Sequence, residues 1–269
     1  MEVAAHYERG LKIATLLTGF LLPTDVFRCI WCLMIKPSIL AIALICLFVG
    51  PSVVSAQQVT RLTPTQQAPW AAVGQLVKGR IGTQSVCTAT LVAPDVILTA
   101  AHCVNGAKNE TPSGLRQYTF AAGWNKGEAF ATRSISEIIV PRSYVPGGED
   151  RLRNLNSDWA LVRLSDPITN IEPVPIVPLP GPWETVYFLT YSNAEPDTPY
   201  LTSGCAHRTL EEGPLQIACP VSSGNSGAAV FVGQPDNPQI VAVIAAKAQN
   251  NAFAVVPGEE LLSRIESLQ

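Results

Sequence analysis

From Trp70 onward, short apolar runs alternate with turn residues along the chain. AAVGQLV (71–77), SVCTATLVA (85–93), VILTAA (96–101), YTFAAGW (118–124), SISEIIV (134–140) and WALVRL (159–164) are each bounded by Gly, Pro, Asn or Asp or lie close to one. Such runs, rich in β-branched and aromatic residues and closed by turn formers, predict β-strands. The Pro-rich segment EPVPIVPLPGPW (172–183) interrupts the series, and TVYFLTYS (185–192), PLQIACP (214–220), AAVFVG (228–233), QIVAVIAA (239–246) and AFAVV (252–256) come after it. Two sets of about six strands on either side of a proline-rich crossing predict an all-β fold of two six-stranded antiparallel barrels, over about 70–170 and about 171–256. The chain closes on PGEELLSRIESL, where Leu261, Leu262, Ile265 and Leu268 share one helical face behind Pro257 and the acidic pair Glu259 and Glu260. That spacing predicts a terminal helix over about 258–268, packed on the second barrel.

Ahead of Trp70 the pattern changes. Ile39 to Gly50 reads ILAIALICLFVG, an unbroken apolar run, and PSVVSA comes next with small residues at Val54 and Ala56. A membrane-spanning helix wants roughly 20 apolar residues. This run is shorter, so it predicts the core of a signal peptide cut after Ala56. Residues 1–33 make a long leader for such a signal. Met34, with Ile35 and Lys36 after it, would open one of ordinary length and is the expected start of translation. The rival reading makes LKIATLLTGFLL (11–22) a second apolar segment and the leader part of a membrane anchor. Residues 1–56 are thus expected as a leader, 57–69 (QQVTRLTPTQQAP) as a flexible polar lead-in, and 70–269 as the folded domain.

Cysteine usage supports removal of the leader. Cys29, Cys32 and Cys46 precede the expected cut, leaving Cys87, Cys103, Cys205 and Cys219. Four cysteines in an exported chain predict two disulfides. Three pairings exist, and proximity along the chain favours Cys87 with Cys103 and Cys205 with Cys219. Cys29 and Cys32 form a CxxC without the βαβ pattern of a redox domain. A net charge of −3, with scattered Lys and Arg, implies neither a nucleic acid nor an anionic membrane surface as partner. Contact with a membrane is expected only through an uncleaved leader.

Three motifs carry candidate chemistry. In CTATLVAPDVILTAAHCV (87–104), His102 ends an apolar strand beside Cys103, and a bridge from Cys103 to Cys87 would contribute roughly 3 kcal/mol and fix the histidine backbone. In SDWALVRL (157–164), Asp158 leads into an apolar strand. In CPVSSGNSGAAVF (219–231), Ser226 sits within Gly224-Asn225-Ser226-Gly227. Each has a plainer reading alone: an incidental histidine, a turn aspartate, a polar turn. Gly224 lets the backbone turn so that its amide and that of Ser226 point at one spot beside the hydroxyl, as an oxyanion hole requires.

Together the three resemble the trypsin-like serine peptidase family, with its Ala-Ala-His-Cys stretch, its aspartate opening an apolar strand and its Gly-x-Ser-Gly turn, in the order His, Asp, Ser. The likeness runs from about Trp70 to the end. It implies a chymotrypsin-like fold and an endopeptidase in which Ser226 attacks the scissile carbonyl, His102 moves the proton, Asp158 orients the imidazole, and the Gly224 and Ser226 amides bind the oxyanion. The expected partner is a protein or peptide substrate, acted on by a monomer with no metal or organic cofactor. An α/β-hydrolase is disfavoured, because it runs Ser, acid, His and carries Gly-x-Ser-x-Gly where this chain has Ala228. The alternatives are an inactive protease-shaped binding protein and an esterase using the same groups.

The chain departs from the digestive members of that family. They carry aspartate before the nucleophile to pair with a freed N-terminus, where this chain has Asn225. With the APWAAVGQL stretch, this resembles the bacterial branch that includes glutamyl endopeptidases and related exported enzymes. No activating cut near Trp70 is expected. The pocket-base position falls near Pro220, without an acid to select Lys or Arg, and VAVIAAK (241–247) would supply small apolar walls. Small or apolar residues are therefore expected on the acyl side of the cleaved bond. His207 is expected as a surface or structural residue.

Overall fold

The computed structural model describes residues 57–83, 86–105, 111–147, 151–179, 185–211 and 213–268, with backbone only for residues 151–153. The expected leader, its cut, Met34 and the cysteines at 29, 32 and 46 lie outside these residues. Fourteen strands are formed: β1 (Gln58–Arg61), β2 (Val73–Lys78), β3 (Val86–Ala93), β4 (Val96–Thr99), β5 (Tyr118–Ala122), β6 (Ala131–Ile139), β7 (Ala160–Leu164), β8 (Val186–Thr190), β9 (Tyr200–Cys205), β10 (His207–Thr209), β11 (Leu215–Ile217), β12 (Ala229–Gln234), β13 (Asn237–Ala248) and β14 (Asn251–Val255). Among the described residues there are also five short α-helices: α1 (Pro64–Gln67), α2 (Ala101–Val104), α3 (Pro112–Leu115) and α4 (Arg151–Asn156) between strands, and α5 (Glu259–Glu266) after β14.

β2 to β7 close an antiparallel barrel in the order β2-β3-β4-β7-β6-β5. β6 keeps exposed positions along its length, but β3 is buried almost throughout because its outer face meets the second half of the fold. The second half is an eight-stranded curled sheet, β1-β9-β8-β12-β13-β14-β11-β10, rather than a second six-stranded closure. Two strands added to its edges account for the difference. β10 makes a small hairpin with β11. β1 comes from the polar segment expected as a flexible lead-in and pairs along β9, from Gln58 opposite Ser203 to Arg61 opposite Tyr200.

That lead-in is structured for local reasons. Thr63 caps α1 by accepting from the Gln66 amide while Gln66 Oε1 accepts from the Thr63 amide, and Pro64 holds the first helical position. Gln67, the last residue of α1, is fully buried, and Trp70 packs edge-on to Tyr187 and against Phe231 at ring separations of 5.8 and 5.7 Å. A polar composition read as flexibility therefore conceals a cap and two buried anchors.

Two apolar clusters result. One fills the closed barrel and continues through Trp70, Leu189, Tyr191, Phe231 and Val243 into the junction between the halves. The other lies inside the curled sheet, with Val186, Cys205, Ile217, Cys219, Ala228, Ile244, Ala252 and Ala254 among its members. α5 buries Leu261 and Ile265, with Leu268 partly covered, in the first cluster. The terminal helix thus packs on the junction that both halves share. Among the described residues no helix is long and apolar enough to cross a membrane.

Candidate active site

The site is built where one end of the closed barrel meets the curled sheet. β4 ends at Thr99, and α2 begins two residues later with Ala101, so His102 stands in the first turn of a short helix whose neighbour Cys103 is bonded to Cys87 of β3. α4 delivers Asp158 from the other side: the amides of Ser157 and Asp158 donate to the carbonyls of Asn154 and Leu155, turning the chain into β7. Ser157 is buried and meets Ser143 Oγ at 2.7 Å. The Asp158 carboxylate takes hold of His102 with both oxygens. Oδ2 lies 2.7 Å from Nδ1, and Oδ1 accepts from the His102 backbone amide at 2.9 Å. The clasp fixes ring orientation and backbone together. Asp158 keeps 10% of its side-chain exposure and His102 37%, so the acid is sheltered and the imidazole reaches the surface. Tyr144 is buried within electrostatic reach of the acid; its burial and the Asp158 carboxylate push its phenol up to about 12.

Ser226 comes from the curled sheet. It lies in the turn ahead of β12, and two hydrogen bonds and the close approach of Gly227 seat that turn on β3 and the end of β4. The Thr88 amide donates to the Ser226 carbonyl at 2.9 Å, and Thr88 Oγ1 donates to the Gly224 carbonyl at 3.0 Å. Gly227, at φ +82°, is so close to the first barrel that a Cβ there would lie 2.1 Å from Thr99 Oγ1 and 2.9 Å from the Ala100 amide nitrogen. The Ser226 turn therefore stands against the two residues that precede Ala101 and His102.

Within the turn, the amides divide into two kinds. Those of Asn225, Gly227 and Ala228 donate to the carbonyls of Ser222, Ile244 and Asn225. Those of Gly224 and Ser226 donate to no protein acceptor among the described residues, although Gly224 is buried. Gly224 holds φ +100°, and a Cβ on it would meet Ser192 and Asn193 backbone at 2.7–2.9 Å. The free amides of Gly224 and of Ser226 itself are of the kind that a developing oxyanion needs as donors.

Asn225 has a role that its neutral charge did not reveal. It is buried, its Oδ1 accepts from the Ser222 amide at 2.5 Å, and its Nδ2 donates to the Tyr191 carbonyl at 2.6 Å. Tyr191 is a hub. Its amide donates to Thr88 Oγ1, its hydroxyl donates to the Trp124 carbonyl at 2.7 Å, and Gln67 Nε2 donates to that hydroxyl at 2.8 Å. Burial raises the Tyr191 phenol far above its ordinary range. Gln67, Thr88 and Tyr191 were not singled out from the sequence. The one signal was the pair of threonines, Thr88 and Thr90, in the otherwise apolar run VCTATLVA, which read equally well as ordinary strand residues.

The remaining candidates fall elsewhere or serve other ends. Cys205 is bonded to Cys219 just before the turn. His207 is half-buried in β10, away from this junction in sheet order. Cys87, His102 and Cys103 approach one another closely, but both sulfurs are spent in the disulfide.

The comparisons with known proteins bear on family and fold. Serine protease 56 of Homo sapiens is 34% identical over 109 residues, 40% of this chain and 16% of its own. The glutamyl endopeptidase of Bacillus licheniformis is 29% identical over 119 residues, 44% of this chain and 34% of its own. The matched segments therefore span about a third or less of these relatives. A structure of Glu endopeptidase in complex with MPD superposes with a TM-score of 0.60 at 21% identity, over 80% of this chain and 98% of that one, which is a likeness of fold. The sequence profile of the family described as Trypsin matches residues 58–255. The chain belongs to the trypsin-like serine peptidase family.

Proposed function

We propose that this protein is a serine endopeptidase that cleaves peptide bonds through an acyl-enzyme, with Ser226 as nucleophile, His102 as general base and acid, and Asp158 as the group that orients the imidazole. The observation that carries the reading is the two-point clasp of His102 by Asp158, at 2.7 and 2.9 Å, beside the turn in which the Gly224 and Ser226 amides are free. With Nδ1–H engaged by the carboxylate, Nε2 is left as the basic nitrogen. Ser226 Oγ would bond to the scissile carbonyl carbon while its proton passes to Nε2, and the carbonyl electron pair moves onto oxygen facing the Gly224 and Ser226 amides. Collapse breaks the C–N bond and passes the proton from Nε2 to the leaving amine. Water then repeats the sequence and releases the acid. Asp158 stabilises the imidazolium throughout without taking its proton.

The two disulfides support export to an oxidising compartment, in keeping with a leader over 1–56 that is removed. Labelling by a fluorophosphonate tests the nucleophile, and casein turnover separates a peptidase from an esterase. Ser226→Ala should abolish labelling. Asp158→Asn should keep the fold and lower turnover by about four orders of magnitude near neutral pH. A labelled wild-type protein that hydrolyses esters and leaves casein intact would overturn the endopeptidase reading.

A further inference from the structure

The orientation of one peptide unit decides whether the Gly224 amide can serve as an oxyanion donor. In a planar trans peptide the carbonyl and the N–H that follows it point in opposite directions. The Ser223 carbonyl accepts from the Asn193 amide at 2.8 Å. The Gly224 N–H, on the other side of that unit, is therefore turned away from Asn193, and it meets no protein acceptor among the described residues. The contact is close: Gly224 takes φ +100°, and a Cβ on it would lie 2.7 Å from the Asn193 nitrogen and 2.8 Å from Ser192 Cα. The opposite orientation would set the Gly224 N–H against the Asn193 N–H, donor facing donor. Glycine itself resists that rotation little, so the resistance comes from the bond to Asn193.

The Asn193 amide is held in place by its own side chain. Oδ1 accepts from the Val86 amide at 2.9 Å, and because Val86 offers a donor there, the oxygen and not the nitrogen of the carboxamide must face it. Val86 opens β3 opposite Val77 and is buried. The next residue is Cys87, bonded to Cys103 beside His102. Further along the same segment, Ser192 Oγ accepts from the Glu195 amide at 3.1 Å and the Asp197 carbonyl accepts from the Lys126 amide at 2.8 Å. Residues 193 and 197 thus pin the segment to the closed barrel at two points.

An asparagine in a segment without regular structure ordinarily serves its own turn, through a bond two or three residues on. Asn193 does not. Its side chain reaches a residue 107 positions away, and its amide reaches Ser223 in the run that leads to the nucleophile. One half-buried residue thus joins the strand whose disulfide steadies His102 to the peptide that carries an oxyanion donor.

Resting on the peptidase reading, we propose that Asn193 is a positioning residue for the reaction: its carboxamide anchors its own amide to β3, and that amide holds the Ser223–Gly224 peptide with the N–H free for the substrate oxygen. Asn193 acts through Gly224 and touches no reacting atom. Its effect falls on the tetrahedral stage, where charge gathers on the oxygen, and not on binding of the uncharged ground state. Without Oδ1 the segment loses its hold on β3, the peptide rotates more freely, and the fraction of molecules with both donors in place falls.

The test uses the full protein after export and two active-site ligands of one peptide sequence. A peptide trifluoromethyl ketone takes Ser226 Oγ onto its carbonyl carbon and leaves an oxyanion; a reduced-amide peptide, with CH2 in place of that carbonyl, fills the same cleft without the oxygen. Asn193→Ala should lower kcat by about ten- to a hundredfold with KM little changed, less than the hundred- to thousandfold that loss of a whole donor costs. The ketone should bind more weakly by a similar factor, and the reduced amide within about twofold of wild type. Asn193→Ser, too short to reach Val86, should behave like the Ala variant. Asn193→Asp keeps an oxygen for the Val86 amide and, in about 1 M salt to screen its added charge, should return most of the ketone affinity. Endpoint labelling by a fluorophosphonate counts active molecules, and melting temperature reports the fold. Equal weakening of both ligands would reduce Asn193 to a structural residue, and unchanged ketone affinity in the Ala and Ser variants would overturn this inference alone. Absence of labelling in wild type would instead overturn the peptidase reading beneath it.

Discussion

At the residue scale, the site depends on buried hydrogen bonds whose partners are far apart in sequence. Thr88 Oγ1 donates to the Gly224 carbonyl and accepts from the Tyr191 amide, while its own amide holds the Ser226 carbonyl. Thr88→Val keeps the shape and removes the hydroxyl, leaving one carbonyl and one amide without partners in a fully buried place, at about 1–3 kcal/mol each. Because the Gly224 carbonyl belongs to the turn that aims the oxyanion donors and Tyr191 holds Asn225 of that turn, kcat per labelled site should fall by about tenfold or more with KM little changed, and Thr88→Ser should recover most of it. A loss confined to thermal stability would make Thr88 a structural residue only. Asn225 gives a sharper case. Asn225→Asp would set a carboxylate against the Tyr191 carbonyl and lose the Nδ2 donor, so the new acid should titrate above its usual range in the fold. A folded-state pKa raised above the unfolded value contributes stability that is present below the unfolded value and lost as pH rises through the folded one. The variant should therefore approach the parent's melting temperature near pH 4 and fall below it by pH 8. A constant offset across that range would contradict the role given to Nδ2.

At the element scale, pattern strength decided what was legible in the sequence. The eleven runs singled out became strands or strand cores, because Val, Ile, Phe and Ala in short bounded segments leave few alternatives. β9 (YLTSGC) and β10 (HRT) escaped notice, since both are short of apolar residues and owe their form to their neighbours β8 and β11. Register was hidden as well: the bulges at Leu91/Ala93, Val230/Phe231 and Ile244/Ala246 leave no mark in the alternation. The His, Asp and Ser motifs were legible because each is local, whereas Gln67, Thr88 and Tyr191 act through contacts that only the fold creates. The lead-in combines both kinds of element. β1 is an edge strand with mostly exposed side chains, but α1 ends in the buried Gln67, which reaches Tyr191 and through it Asn225. Removing residues 57–61 should lower the melting temperature and leave kcat per labelled site unchanged. Extending the cut through Gln67 should lower kcat as well. Equal kcat for the two truncations would show that the link from α1 to the nucleophile turn has no bearing on turnover.

At the scale of the molecule, the two halves are joined by one continuous apolar cluster, and the candidate site straddles their junction, so anything that loosens the junction should separate Ser226 from His102. Gly227 marks how tight the contact is: a Cβ would fall within 3 Å of Thr99, Thr88 and Ala100 atoms at once. Three tyrosines lie along the same junction and make it sensitive to alkali. Tyr144 is buried within reach of the Asp158 charge, Tyr187 packs with Trp70 and Phe231, and Tyr191 is fully buried and bonded to both Thr88 and Asn225. Burial raises all three phenols; Tyr144 and Tyr187 reach about 12, with the carboxylates of Asp158 and Asp236 adding to the effect. The unfolded chain ionises its tyrosines near 10. Stability from these groups is therefore complete below pH 10 and is lost as pH rises from about 10 to 12, while the folded protein still holds protons that the unfolded chain has released. Melting temperatures taken between pH 8 and 11.5 should be level up to about 10 and then drop in a single transition, with activity falling alongside because site and junction are one contact. Combining Tyr144→Phe with Tyr187→Phe removes two of these three raised groups, leaving Tyr191 and the less buried Tyr200, and should make the drop shallower. A double variant whose alkaline profile matched that of the parent would place the cause of alkaline unfolding outside this junction.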